Sequence, residues 1–217
     1  DNSKLAKVNL VELQQSVNEI TNKLKAYIAD SKVADFEDEL LLALNEFNNQ
    51  YFPVPEYKYK VTRKEIDPKV YGEEKEKMFL PIYEKLVAKY GIQLKQEKQE
   101  TFLDQWFTQQ IRNEIEFVYS LIKPIEKKEL HDLLCVMLSR TMRSCRATTH
   151  SDLATLKEAV TTTYYCSKHG KICKPLFSII KWWETYSKDT ILRLQEFSKL
   201  RTNTFQRCLI GDSRTID

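Results

Sequence analysis

The stretch Leu133-Leu134-Cys135-Val136-Met137-Leu138 is an almost unbroken apolar run at the centre of a segment that extends from Lys127 to about Arg146. An α-helix that is apolar around its whole circumference is typical of a helix buried on all sides. The sequence therefore predicts a buried helix here, within a body made of other helices.

Further helices are predicted on both sides of this segment. Near the start, apolar residues recur at alternating steps of three and four from Leu10 to Tyr27, which is a heptad-like seam on an amphipathic helix. The first residues, Asp1-Asn2-Ser3, supply plausible caps for it. Two further helices are predicted at 32–48 and at 73–90, the second with Gly91 as its C-terminal cap. Another opens at Trp106-Phe107 and is broken at Lys123-Pro124. The last spans 175–200, either as one helix or as a kinked pair that restarts at Ser187. Residues 56–68 are charged and are predicted to be irregular.

The composition supports a helical fold class. Only four glycines and six prolines occur among 217 residues, which argues against sandwiches, barrels and Gly-rich nucleotide-binding folds. We predict an all-α, multi-helix bundle-like domain with one short C-terminal strand segment. Two regions are predicted: residues 1–100, with an irregular Pro-containing connector, and residues 101–217, with a basic Cys/His loop and the terminal strand. One continuous domain is the alternative.

Charge, hydropathy and cysteine content restrict the location of the protein. The net charge of +3 is too small to indicate a partner by itself. No apolar run approaches the ~20 residues of a membrane span, and no charged-then-apolar leader opens the sequence. Five loosely spaced cysteines indicate reduced thiols rather than a disulfide framework. We therefore expect a cytoplasmic protein with no membrane partner.

The stretch between Arg140 and Pro175 is basic: it contains seven Arg and Lys residues, and its only acidic residues are Asp152 and Glu158. Arg and Lys interspersed with Ser and Thr are the side chains that bind phosphate oxygens. The alternative is a solvated helix end whose cations complement the helix dipole. The candidate DNA-binding residues are Arg140, Arg143, Ser144, Arg146, Lys168, Lys171 and Lys174, with Tyr164 and Tyr165 as candidates for stacking on bases.

The segment from Cys166 to Cys173 has the spacing Cys-x2-His-x3-Cys, with His169 in the middle. Three soft ligands in one short loop are close to the spacing of structural zinc sites. A closed site needs a fourth ligand, for which Cys145 and His150 are the nearest candidates. The alternative is a metal-free loop packed by neighbouring tyrosines.

The end of the sequence has the pattern of a strand followed by a turn. Cys208-Leu209-Ile210 is of strand type, and Gly211-Asp212 favours a turn. Open α/β sheets place ligand-binding loops after such strands. However, the sequence shows no Gly-rich phosphate loop, no Ser-His-Asp order and no carboxylate cluster. We therefore predict that the chain is not catalytically competent alone.

Three segments together resemble a known family: Trp106-Phe107, the run Leu138–Arg146, and Gly211-Asp212-Ser213-Arg214. They resemble the internal region of site-specific DNA methyltransferases that modify exocyclic amino groups of adenine or cytosine. The resemblance implies a helical insertion that starts after the Gly-rich loop for S-adenosylmethionine and ends before the catalytic Ser/Asp-Pro-Pro-Tyr motif. It also implies that Asp212 lies near the cofactor pocket of the intact enzyme, and that Arg140, Arg143, Ser144 and Arg146 face DNA.

Three functional hypotheses follow from these patterns. In the first, the chain positions DNA beside the remaining catalytic region of a methyltransferase while a base is flipped. In the second, it is a helical protein–protein interaction module without nucleic-acid binding, whose heptad-like first helix docks a partner or a second copy as a homodimer. A zinc-stapled loop with a purely structural role is a third reading.

Overall fold

The computed structural model of the chain describes residues 8–96, 100–150, 152 and 155–200. This part of the chain is dominated by helices and contains one small antiparallel hairpin, so the predicted all-α class is confirmed. The strand predicted at Cys208-Leu209-Ile210 and the turn at Asp212 lie outside the described residues. The elements are α1 (Leu10–Ala29), α2 (Val33–Tyr51), α3 (Glu56–Thr62), α4 (Pro68–Tyr90), α5 (Phe102–Trp106), α6 (Gln109–Ile122), α7 (Lys128–Ser144), β1 (Tyr164–Cys166), β2 (Lys171–Cys173) and α8 (Ile180–Leu200).

The first hydrophobic cluster forms around α7, as the apolar run predicts. Leu134 and Met137 are fully buried there, and α1, α6 and α8 pack around them. The seam of α1 faces the same core, since Leu13 and Leu24 have no exposed surface. Burying each such side chain contributes about 1.5–3 kcal/mol, so this cluster supplies much of the stability.

A second cluster joins α2, α3 and α4 to the hairpin. Phe36, Phe79 and Tyr83 are fully buried in it, and Phe177 reaches in from the segment before α8. The Phe36 and Phe177 rings meet edge to face, with centroids 4.9 Å apart. The hairpin is therefore held on a helical platform that the first half of the chain provides.

Several helix boundaries differ from the predicted ones, and each difference has a local cause. α4 begins five residues before Glu73, because Asp67 accepts hydrogen bonds from the amides of Lys69 and Val70 and Pro68 occupies the first turn. Thr108 caps α6, so Trp106 ends a separate short helix instead of opening this one. The prediction of an αL cap at Gly91 is confirmed by its φ of 63°.

The prediction of an irregular 56–68 segment and the predicted start of the last helix at residue 175 are wrong, whereas the alternative of one continuous last helix is confirmed. Residues 56–62 form α3, since Tyr57 on this helix is buried among aromatic rings. α8 begins at Ile180 and runs without a restart at Ser187, whose side chain is buried in the middle of the helix. The start of α8 is fixed by Ser178 and by the Glu114 carboxylate, which accepts from the Ile179 amide at 2.8 Å.

The described helices lack the features of membrane-spanning segments. None of them combines the length and the apolar character that a bilayer crossing requires.

Candidate functional site

The hairpin is the feature around which the candidate site forms. Its strands pair with Cys166 opposite Lys171 and Tyr164 opposite Cys173. The turn between them closes because Gly170 adopts a left-handed φ of 62° and donates its amide to the Cys166 carbonyl at 2.7 Å. This turn brings both ends of the Cys-x2-His-x3-Cys pattern to one side of the hairpin.

Side chains from the helical platform close the outer edges of the two strands. The buried Asn48 amide accepts from the Ile172 amide and donates to the Ile172 carbonyl, both at 3.0 Å. On the other strand, the Tyr165 amide donates to Glu76 at 2.8 Å. α4 approaches closely at Gly72, where an added Cβ would lie 2.3 Å from Cγ of Tyr165. The hairpin is thus fixed in position by α2 and α4.

The segment after α7 brings His150 against the hairpin. The Ala147 amide donates to the Trp106 carbonyl and the Val160 amide donates to the Ala147 carbonyl, both at 2.8 Å, so this loop is tied down on both sides. The Tyr164 hydroxyl then accepts from the His150 amide at 3.2 Å and lies 2.9 Å from His150 Nδ1. These contacts hold the imidazole beside the Cys/His loop.

Four potential ligands converge as a result: His150, Cys166, His169 and Cys173. One ligand atom from each lies within 4.8 Å of all the others. Cys166 Sγ is 3.6 Å from His150 Nδ1, and Cys173 Sγ is 3.4 Å from His169 Nδ1. The two cysteines are buried free thiols, whereas both histidines reach the surface. We call these four residues the His/Cys group.

Cys145, one of the two candidates for the fourth ligand, does not join this group. It caps the C-terminal end of α7 and is buried in the α1–α6–α7–α8 core. The prediction of Cys145 as a metal ligand is therefore corrected to His150, which the hairpin contacts directly. Cys145 faces apolar side chains instead.

Burial shifts the pKa values of two members of the His/Cys group, Cys173 and His150. Loss of solvent raises the pKa of the Cys173 thiol, and the adjacent Cys166 sulfur raises it further. Partial desolvation of the His150 imidazole lowers its pKa, and the charges of His169 and Lys168 lower it further.

Part of the predicted DNA-binding set binds other helices instead. Arg140 forms an ion pair with Asp189 at 2.6 Å, donates to Thr190 at 2.7 Å, and lies over the Tyr186 ring. Ser144 shares a hydrogen bond of 2.6 Å with the Tyr186 hydroxyl. Both residues therefore fasten α7 to α8.

The remaining basic residues differ in exposure. Lys174 is largely buried, pairs with Glu37 and lies over the Phe177 ring. Lys168 and Lys171 are exposed beside the turn of the hairpin, and Arg143 is exposed at the end of α7. Arg146 is half-buried, and its Nε donates to the Arg143 carbonyl at 2.9 Å.

The two tyrosines predicted to stack on bases are used internally. Tyr164 is only 5% exposed, and its hydroxyl contacts His150. The Tyr165 ring is stacked on Phe52, and its hydroxyl shares a 3.1 Å hydrogen bond with Tyr57. Tyr164 is therefore too buried to stack on a nucleobase, and Phe52 already stacks on the Tyr165 ring.

A surface cavity of about 750 Å³ opens between α3, α4 and the hairpin turn. Three lysines contribute to its lining, from α3, α4 and the turn: Lys58, Lys69 and Lys168. Glu73 and Glu76 line the cavity as well, so the hairpin turn is part of a concave surface of mixed charge, which the linear sequence did not indicate.

Comparisons with known proteins place these features in a wider context. No protein-family model matches the chain. No solved structure matches it either. The chain is 38% identical over 221 aligned positions to the Type II methyltransferase M.MjaII of Methanocaldococcus jannaschii. The match covers 99% of this chain and 41% of that protein, so the chain spans less than half the length of its relative. Almost the entire chain is therefore similar to one part of a Type II methyltransferase.

Proposed function

We propose that the chain is the internal helical part of an amino-directed DNA methyltransferase and that it holds DNA beside the catalytic region. The observation that carries this proposal is the 38% identity to M.MjaII, which runs through nearly the whole chain. The resemblance of the Leu138–Arg146 segment to the helical insertion of such enzymes points the same way. The other partner in this role is the remaining methyltransferase region.

The chemistry of methyl transfer belongs to the intact enzyme. S-adenosylmethionine would be its methyl donor, but the three glycines among the described residues do not form the Gly-rich loop that such a cofactor needs. Gly72 packs against Tyr165, Gly91 caps α4 and Gly170 closes the hairpin turn. The resemblance assigns Asp212 to the vicinity of the cofactor pocket, and this residue lies outside the described part of the chain. We therefore derive no catalytic step from these residues.

DNA contact is proposed for the exposed cations around the hairpin turn and the end of α7: Lys168, Lys171 and Arg143. The adjoining cavity, whose lining also includes Glu73 and Glu76, holds the further cations Lys58 and Lys69. Such side chains would neutralise phosphates and position the duplex without reading its sequence. Arg140 and Lys174 would contribute indirectly, because each is paired with a carboxylate that keeps its element in place.

The interaction-module alternative depends on the seam of α1. Leu13, Val17, Ile20 and Leu24 of that seam are buried within the chain. A docking role would therefore need a different surface. Light scattering of the purified chain measures whether a homodimer forms.

The double variant Lys168→Gln/Lys171→Gln is expected to weaken DNA binding. Each phosphate contact contributes about 0.9 to the slope of log affinity against log salt, so losing two contacts should make that slope shallower by about 2. Fluorescence anisotropy with a labelled duplex at several salt concentrations measures both the affinity and the slope.

The matched control is Lys123→Gln/Lys128→Gln, which removes the same charge at the opposite end of α7. Equal loss of affinity in both double variants would show that only net charge matters. Failure of the wild-type chain to bind duplex DNA at low salt would contradict the DNA-positioning role.

A further inference from the structure

We propose that His150, Cys166, His169 and Cys173 bind one zinc ion as a closed structural site. Four ligand atoms within 4.8 Å of one another, contributed by a hairpin and by the loop after α7, are the basis of this proposal. It stands independently of the DNA role, since it follows from the geometry of the donors alone.

Two of the distances within the His/Cys group match those between the ligands of a tetrahedral zinc ion. Zn–S bonds of about 2.3 Å and Zn–N bonds of about 2.0–2.1 Å place neighbouring ligand atoms roughly 3.3–3.8 Å apart in a tetrahedron. The separations of 3.6 Å from Cys166 Sγ to His150 Nδ1 and of 3.4 Å from Cys173 Sγ to His169 Nδ1 fall inside this range. The other ligand atoms lie within 4.8 Å of one another, so small side-chain movements would close the tetrahedron around an ion.

The donor types select the metal. Two thiolates and two imidazoles in tetrahedral arrangement favour zinc over magnesium or calcium, which prefer oxygen ligands. With four protein donors no coordination position remains for water or substrate, so the ion would be structural. Binding of zinc through His150 Nδ1 would replace the 2.9 Å contact of that nitrogen with the Tyr164 hydroxyl, which would still accept a hydrogen bond from the His150 amide.

The ion would add a direct link between the hairpin and the loop after α7, beyond the hydrogen bond from the His150 amide to Tyr164. A two-stranded hairpin is at best marginally stable on its own. Metal ligation would tie its turn to the loop that follows α7, through His150. In the sequence, Lys168 lies between Cys166 and His169, and Lys171 lies between His169 and Cys173. Zinc bound by these residues would therefore also fix the position of the two lysines proposed to bind phosphate.

Metal analysis of the full chain, purified without chelators from zinc-supplemented medium, tests the proposal. About one zinc per chain is expected. Replacement by Co²⁺ should give the intense visible absorption of a tetrahedral cobalt site with thiolate ligands. A wild-type chain that retains no zinc and gives no such cobalt spectrum would overturn the proposal, as would a Cys166–Cys173 disulfide found by mass spectrometry in freshly purified protein.

Variants identify the ligands. His150→Ala and Cys166→Ser are each expected to lower zinc affinity more than the roughly 10–100-fold that loss of an outer partner costs. The matched control is the double variant His131→Ala/Cys135→Ser, which removes another neighbouring His–Cys pair, 3.9 Å apart on α7, and should keep its zinc. Zinc retained in His150→Ala but lost in Cys145→Ala would overturn the assignment of the fourth ligand.

If a ligand variant does not fold, the zinc content and cobalt spectrum of the wild-type chain still decide the matter. A chain that binds zinc but not DNA would contradict only the proposed function. A chain that binds DNA without zinc would contradict only the metal site.

Discussion

Replacing Gly72 by alanine is expected to lower the free energy of unfolding by about 2–3 kcal/mol, as overpacking of a tight contact does. The new Cβ would lie 2.3 Å from Cγ of Tyr165 and 2.4 Å and 2.6 Å from its two Cδ atoms. The Tyr165 ring cannot simply turn away, because it is stacked on Phe52 and hydrogen-bonded to Tyr57 at its hydroxyl. The clash would therefore displace β1 from α4. Urea denaturation followed by circular dichroism measures the loss.

The control for this variant is Gly91→Ala, whose added Cβ would meet no atom within 4 Å. Its positive φ alone should cost about 1 kcal/mol. A double-mutant cycle with Tyr165→Ala should show strong coupling to Gly72→Ala and none to Gly91→Ala. In an unhindered helix, alanine would be favoured over glycine by about 1 kcal/mol, so a stabilised Gly72→Ala chain would contradict the observed packing.

Glu114→Gln is expected to stabilise the protein at pH 8 and to change its stability little near pH 4. Glu114 is fully buried on α6, and its desolvation raises the pKa of the carboxyl from 4.5 to about 7. Hydrogen bonds from Ile179, Ser178 and Gln110 oppose this rise, and nearby Glu37 adds to it. Since the folded state binds a proton that the unfolded state has released, stability falls as pH rises between about 4.5 and 7.

The size of this effect follows from the shift in pKa. One pKa unit corresponds to about 1.4 kcal/mol, so ionising Glu114 in the folded protein costs about 3 kcal/mol at pH 8. Thermal unfolding of wild type and variant at several pH values gives the difference directly. Glu129→Gln, at an exposed position on α7, is the control and should leave the difference near zero throughout. A pH-independent difference between Glu114→Gln and wild type would contradict the assignment.

The helices that local periodicity could predict are those whose buried residues recur regularly along the chain. Leu13, Val17, Ile20 and Leu24 define α1 because steps of three and four place them on one face. Gly91 marked the end of α4 because a left-handed cap needs glycine. In such cases the residues that determine the element lie within it.

Other elements depend on residues far away in the sequence. The start of α8 is fixed partly by Glu114, which lies 65 residues before Ile179. α3 buries only Tyr57, so its short sequence carries no periodic pattern. Neither feature could be found without the tertiary structure.

The candidate site shows the same division. The candidate ligands Cys166, His169 and Cys173 could be identified from spacing because one tight turn brings them together. The choice between Cys145 and His150 could not, since it depends on which of the two faces the core and which faces the hairpin. Likewise, Arg140 lies in a sequence pattern typical of phosphate binding, but its guanidinium donates to Asp189, which lies 49 residues later.

The way in which Asn48 and Glu76 close the hairpin also limits how other molecules can recognise it. A short exposed β-ribbon commonly pairs with a further strand, either from a ligand or from a second copy during aggregation. The outward-facing amides of Tyr165 and Ile172 and the carbonyl of Ile172 are already hydrogen-bonded to side chains, so they offer no template for such pairing. Recognition of this ribbon must therefore use its turn and its side chains, and the same arrangement protects it from edge-to-edge self-association.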